Sequence, residues 1–122
     1  MVRSIFALVA VLSVASASLA ADLVTPLVFV GFSTSVSCDL VNISSAPIQA
    51  QVELWDTFGN LLNHVGPGTV SPGQPSGVVF DNPNKIVYCR FVNASKSKVR
   101  ASISTFVTTT GDGSEQLVVP AQ

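Results

Sequence analysis

One histidine, two cysteines and few charges are all that this 122-residue chain offers to polar chemistry. A hydrolytic triad would have to use His64, and no Gly-x-Ser-x-Gly elbow accompanies it. A zinc site wants three or four His, Cys or carboxylate ligands, and two oxidised cysteines would leave His64 by itself. Glu53 and Asp56 come from one strand end and make a poor glycosidase pair. For calcium, Asp112 with Glu115, or Asp81 with Asn82 and Asn84, fall short of six oxygens, and turn-forming Asp and Asn explain both stretches. No nucleotide or cofactor motif is present, so the expectation is a protein without catalysis, metal or cofactor.

Basic residues are equally scarce. Once Arg3 is removed with the leader described next, five basic residues face seven acidic ones, which argues against nucleic acid as a partner. Charged residues make up 11% of the chain and hydrophobic ones 48%, a balance too apolar for a disordered polymer. The longest apolar run, Ile5 to Ala15, is well short of the about 20 residues a membrane-spanning helix needs. With Arg3 before it and Ser18-Leu19-Ala20 after it, the run reads as a cleavable signal peptide over residues 1–20. The C-terminus is too short for a GPI tail. The expectation is a secreted protein, extracellular or periplasmic, with no membrane anchor after cleavage and one domain over residues 21–122.

What is present is β-type sequence. Ile48, Ala50, Val52 and Leu54 alternate with Gln49, Gln51, Glu53 and Trp55, the pattern of a half-buried strand. Asp56 to Asn60 reads as a hairpin turn into Leu61–Val65. Residues 66–77 carry Pro67, Pro72 and Pro75 and read as an extended loop. Val78–Phe80, Ile86–Val92 and Val99–Val107 follow as strands, with Asn93 to Lys98 as a second hairpin tip. Gly111 to Ser114 makes a last turn before an edge strand at Gln116–Val119. Leu27–Phe32 and Val36–Ile43 add two strands at the front. The sum is an all-β, antiparallel sandwich of about seven or eight short strands.

Cys38 and Cys89 are the only cysteines, and in an exported chain an isolated pair predicts one disulfide. The order Cys38, Trp55, Cys89 mimics the immunoglobulin pattern, and an immunoglobulin-like topology is open to this chain. Family membership does not follow. Tyr88 directly precedes Cys89, and alternation puts Trp55 on the face opposite Val52 and Leu54. The segments Cys38–Ser44, Asp56–Asn60, Ser71-Pro72-Gly73, Tyr88–Phe91 and Val99–Ser102 resemble a pattern of small exported bacterial β-sandwich proteins. The resemblance implies a bacterial secreted or envelope setting and carries over no functional residue. In that setting the sequons at Asn42 and Asn93 have no role; on a eukaryotic secretory route they would be glycosylation acceptors.

Strand parity nominates a surface. If Val87, Cys89 and Phe91 face inward, Tyr88 and Arg90 face outward. If Val99, Ala101 and Ile103 face inward, Arg100 and Phe106 face outward, and the second hairpin would bring Arg100 beside Arg90. Trp55 has outward parity on its own strand. Trp55, Tyr88, Arg90 and Arg100 thus form a candidate ligand-binding face for extracellular or envelope polysaccharide. Rings stack on the apolar faces of sugars and arginines fork carboxylates. Lys96, Lys98 and Arg100 with Arg90 form a candidate docking patch for anionic envelope polymers. Cross-strand pairing of aromatics and lysine protection of edges explain the same residues without a ligand. The expected role is a non-catalytic binding or structural domain. The alternatives are a surface-assembly subunit that exchanges its N-terminal stretch Leu23–Phe32 with a neighbour, and a small secreted hydrolase.

Overall fold

In a computed structural model, residues 22–107 and 117–122 are described. The expected signal peptide, the expected turn at Gly111 to Ser114 and the pair Asp112 and Glu115 lie outside them. Among the described residues nine strands form two antiparallel sheets. They are β1 (Leu23–Val24), β2 (Val28–Val30), β3 (Thr34–Asn42), β4 (Ile48–Asp56), β5 (Leu61–Val70), β6 (Pro75–Asp81), β7 (Lys85–Val92), β8 (Val99–Val107) and β9 (Leu117–Pro120). The front sheet runs β1-β7-β4-β5, with β2 also on β7; the back sheet runs β6-β3-β8-β9.

Alternation decides the core. Val36, Cys38 and Leu40 of β3 turn inward against Val52 and Leu54 of β4 and Val87, Cys89 and Phe91 of β7, and all eight are fully buried. Cys38 and Cys89 join the two sheets through this core as a disulfide, with Cα atoms 5.7 Å apart. Closing a loop between residues 51 apart in sequence stabilises by about 4 kcal/mol in the chain-entropy account. A disulfide of this kind belongs to an oxidising, non-cytoplasmic setting. No helix among the described residues is long and apolar enough to cross a membrane.

Three local expectations change. Residues 66–77 are not one loop: β5 continues through Val70 and β6 begins at Pro75, leaving a turn over 71–74. An edge strand tolerates Pro67 because nothing on its outer side needs the missing N–H. A register shift between Ala50 and Val52 absorbs the irregular Gly66-Pro67 step, whose peptide is cis. Gly66 has φ +91, and a Cβ there would lie 2.7 Å from the Ala50 carbonyl. The segment 93–98 is likewise not a hairpin tip. It carries the chain from β7 in the front sheet to β8 in the back sheet, where β8 pairs with β3. In the immunoglobulin arrangement the strand after the second cysteine pairs back onto that cysteine's strand; here it crosses over.

The third change is at the front of the chain, where the expected strand at Leu27–Phe32 shortens to β2 and β1 is added ahead of it. Pro26 has no N–H to give, so the ladder on β7 breaks between β1 and β2. Thr25 bridges the gap: its N–H donates to the Cys89 carbonyl at 3.0 Å and its Oγ1 accepts from the Cys89 N–H at 2.9 Å. The stretch Leu23–Phe32 is therefore engaged with its own chain, with Leu23 and Val30 in the core. The backbones of Val24 and Gln122 exchange two hydrogen bonds of 3.2 Å, which ties the β1 edge of the front sheet to the end of β9 in the back sheet.

Candidate functional site

Because Cys89 must face inward to reach Cys38, its neighbours on β7 face out. Register then gathers side chains from five strands onto the outer surface of the front sheet. Tyr88 pairs with Trp55 and Arg90 with Glu53 across β7 and β4. Leu61 sits beside Trp55 and His64 beside Glu53 on β5. Phe29 of β2 pairs with Ile86, and Val24 of β1 with Arg90. The result is an apolar row of Phe29, Ile86, Tyr88, Trp55 and Leu61 beside a polar cluster of Asp22, Arg90, Glu53 and Gln51.

The apolar row is open to solvent at both ends. Phe29 is 66% exposed, Ile86 43% and Leu61 42%, while Trp55 and Tyr88 are half-buried. Such a cluster exceeds the scattered apolar residues ordinary on a surface. Trp55 is held in place: its Nε1–H donates to Glu53 Oε1 at 3.1 Å. The other Glu53 oxygen accepts from Gln51 Nε2 at 2.7 Å. Arg90 reaches Glu53 Oε1 at 3.7 Å and donates from Nη2 and Nε to Asp22 Oδ2 at 2.7 and 3.1 Å. Asp22 Oδ1 also accepts the Asn93 N–H. The hydrogen bond from Arg90 holds the Asp22 carboxyl below its usual range, against the opposing effect of desolvation. The site is a hydrogen-bonded indole beside a half-buried phenol on the sheet face, with one guanidinium between two carboxylates.

Three of the four expected face residues are thus brought together, and the fourth is not. Arg100 lies on β8 in the back sheet, opposite Val41, and its guanidinium turns toward the carbonyls of Lys96 and Val99. The crossover at 93–98 is the reason. It also separates Arg100 from Arg90 in the candidate basic patch. Phe106 shares the back sheet, opposite Ser35.

Sequence parity did not nominate Asp22, Glu53, Phe29, Ile86 or Leu61. Glu53 had a signal, since it shares the outward parity of Trp55 two residues on. Asp22 had none, because its place depends on how β1 registers on β7.

The other candidates have local explanations. His64 is exposed, and the Glu53 carboxylate beside it is occupied by Trp55, Gln51 and Arg90. Asn82 and Asn84 have φ of 50° and 45°, the left-handed turn conformation that Asn tolerates, and Asp81 accepts the Ser35 hydroxyl. No group of three or more His, Cys, Asp or Glu that could hold a metal occurs among the described residues. Asn42 of the first sequon is fully buried and donates from Nδ2 to the carbonyls of Ala46 and Val70, both at 2.9 Å. A cleft of about 330 Å³ opens where β5 meets β6, lined by Gly66, Gly68, Ser71, Gln74 and Ser76 among others, with no ionisable side chain.

Neither a protein-family model nor a curated protein matches this sequence. Among solved structures, the crystal structure of Thermotoga maritima 1070 is similar, with a TM-score of 0.57 and 10% sequence identity. The similarity covers 83% of this chain and 91% of that one. At that identity the likeness extends to the fold alone.

Proposed function

We propose that this protein is a secreted or envelope-associated bacterial β-sandwich that binds polysaccharide on the outer face of its front sheet, without catalysis. The observation that carries the reading is the cross-strand pair of Trp55 and Tyr88, flanked by exposed Phe29, Ile86 and Leu61. Aromatic side chains offer large rigid apolar area, and sugars present flat C–H faces to such rings. The Gln51 amide and the Asp22 carboxylate beside the row supply partners for sugar hydroxyls. The disulfide and the apolar leader support the exported setting.

The test is Trp55→Ala and Tyr88→Ala in affinity electrophoresis through gels containing polysaccharide, with β-type circular dichroism as the folding control. Each truncation should cost about 1–3 kcal/mol of binding, the range of an interfacial hot spot. Unchanged migration of both variants relative to the parent in a gel that retards the parent would rule out this face.

A further inference from the structure

We infer that the platform takes an uncharged glycan, laid across the strands, and discriminates against acidic polymers; the inference rests on the stacking reading above. Among the described residues Arg90 is the only cation on the platform with a defined contact, and its partners are already supplied from within the chain. Asp22 takes two of its nitrogens at 2.7 and 3.1 Å, and Glu53 lies at 3.7 Å from a third. The three side chains, two carboxylates and one guanidinium, carry a net negative charge. A uronate or phosphate arriving there would have to displace Asp22 and then sit beside Glu53. Like charges in one site repel, and carboxylates so engaged do not leave cheaply. The candidate partner for an acidic sugar, Arg100, is on the other sheet.

The same charge argues against a second copy of the chain as the occupant. A second copy brings a second negative cluster to the same surface, a repulsion that grows as the two-fold axis nears the cluster. A neutral sugar meets no such cost. Its ring faces can stack on Trp55 and Tyr88, while its hydroxyls donate to the part-exposed oxygens of Asp22. The row from Phe29 to Leu61 crosses four strands, β2, β7, β4 and β5. At the usual strand spacing that is about 14 Å, the length of roughly two to three sugar units.

The measurement is affinity electrophoresis of the mature protein in a panel of soluble polymers. The neutral ones are hydroxyethylcellulose, galactomannan and laminarin; the acidic ones are polygalacturonate and alginate. At least one neutral polymer should retard the parent equally at about 0.01 M and about 0.3 M salt, since no charge pair is there to be screened. Trp55→Ala should weaken that binding by 10-fold or more. Neither acidic polymer should retard the parent. Asp22→Asn, which frees one side of Arg90, should gain retardation by polygalacturonate at low salt and lose it at high salt.

A parent that prefers polygalacturonate in a salt-sensitive, Trp55-dependent way overturns the charge discrimination and leaves the stacking reading standing. Failure with every neutral polymer, or neutral binding that Trp55→Ala leaves intact, overturns both. A dimer in size-exclusion chromatography that Trp55→Ala dissolves also overturns both, because the face would then be an interface between copies.

Discussion

Asp56 closes the β4–β5 hairpin with a carboxylate that has almost no exposure to solvent. Its Oδ1 accepts the Phe58 and Asn60 backbone N–H groups, and its Oδ2 accepts the Asn60 side-chain amide, with Lys85 Nζ at 3.4 Å. These hydrogen bonds, the Asn60 side chain foremost, lower its pKa from an ordinary 3.8 to about 2. A folded-state pKa below the unfolded one means stability that is fully present above pH 4 and is lost as pH falls through about 2. The melting temperature should therefore fall as pH drops from 4 toward 2, and Asp56→Asn should be less stable at pH 7 with a shallower acid limb. A variant whose acid limb matches the parent's would show that the acid sensitivity arises elsewhere. Gly77 offers a second test at this scale. A Cβ there would meet the Asp39 carboxylate and the Cys38 carbonyl at 2.7 Å. Gly77→Ala should destabilise by about 1–3 kcal/mol in urea unfolding, the range for overpacking. Asp39→Ala in the same background should recover only part, since the Cys38 carbonyl cannot move away.

Among the elements, the disulfide is the tie whose removal is simplest to measure. Replacing both Cys38 and Cys89 by Ala should cost about 2–5 kcal/mol, read as a lower urea midpoint, while the strands remain. Legibility at this scale was uneven for a physical reason. β3, β4 and β7 could be read because one face is buried and the other wet, so alternation carries the signal. The pairing of Cys38 with Cys89 followed from an isolated pair in two core strands. β5 could not be read past Val65, because an exposed edge strand has no alternation to show and its Gly66-Pro67-Gly68 mimics a loop. The partner of β8 was equally hidden. A six-residue connection fits a hairpin and a crossover alike, and only packing decides between them. The register of β4 on β7 brings Trp55, Tyr88 and Arg90 together, and the crossover sends Arg100 away.

For the molecule as a whole, the N-terminal stretch decides whether the chain can exist alone. Leu23 and Val30 fill the core and β1 and β2 cover the β7 edge. Deleting residues 22–30 should expose that edge and yield a chain that aggregates or fails to unfold cooperatively, instead of a stable monomer. A cooperative, monomeric deletion product would instead mark this stretch as dispensable to the body and available to a neighbour. The Val24–Gln122 pair has a mechanical consequence. Both strands leave that antiparallel pair in the same direction, so tension applied at residues 22 and 122 loads its two hydrogen bonds one after the other. The edges peel like a zipper at low force. Once β7 gives way at Cys89 and β3 at Cys38, the disulfide takes the load and the chain between these residues, 51 apart in sequence, cannot lengthen. Under a pull on residues 22 and 122 the domain would thus stretch early and softly, then stop, and a reducing agent would remove the stop.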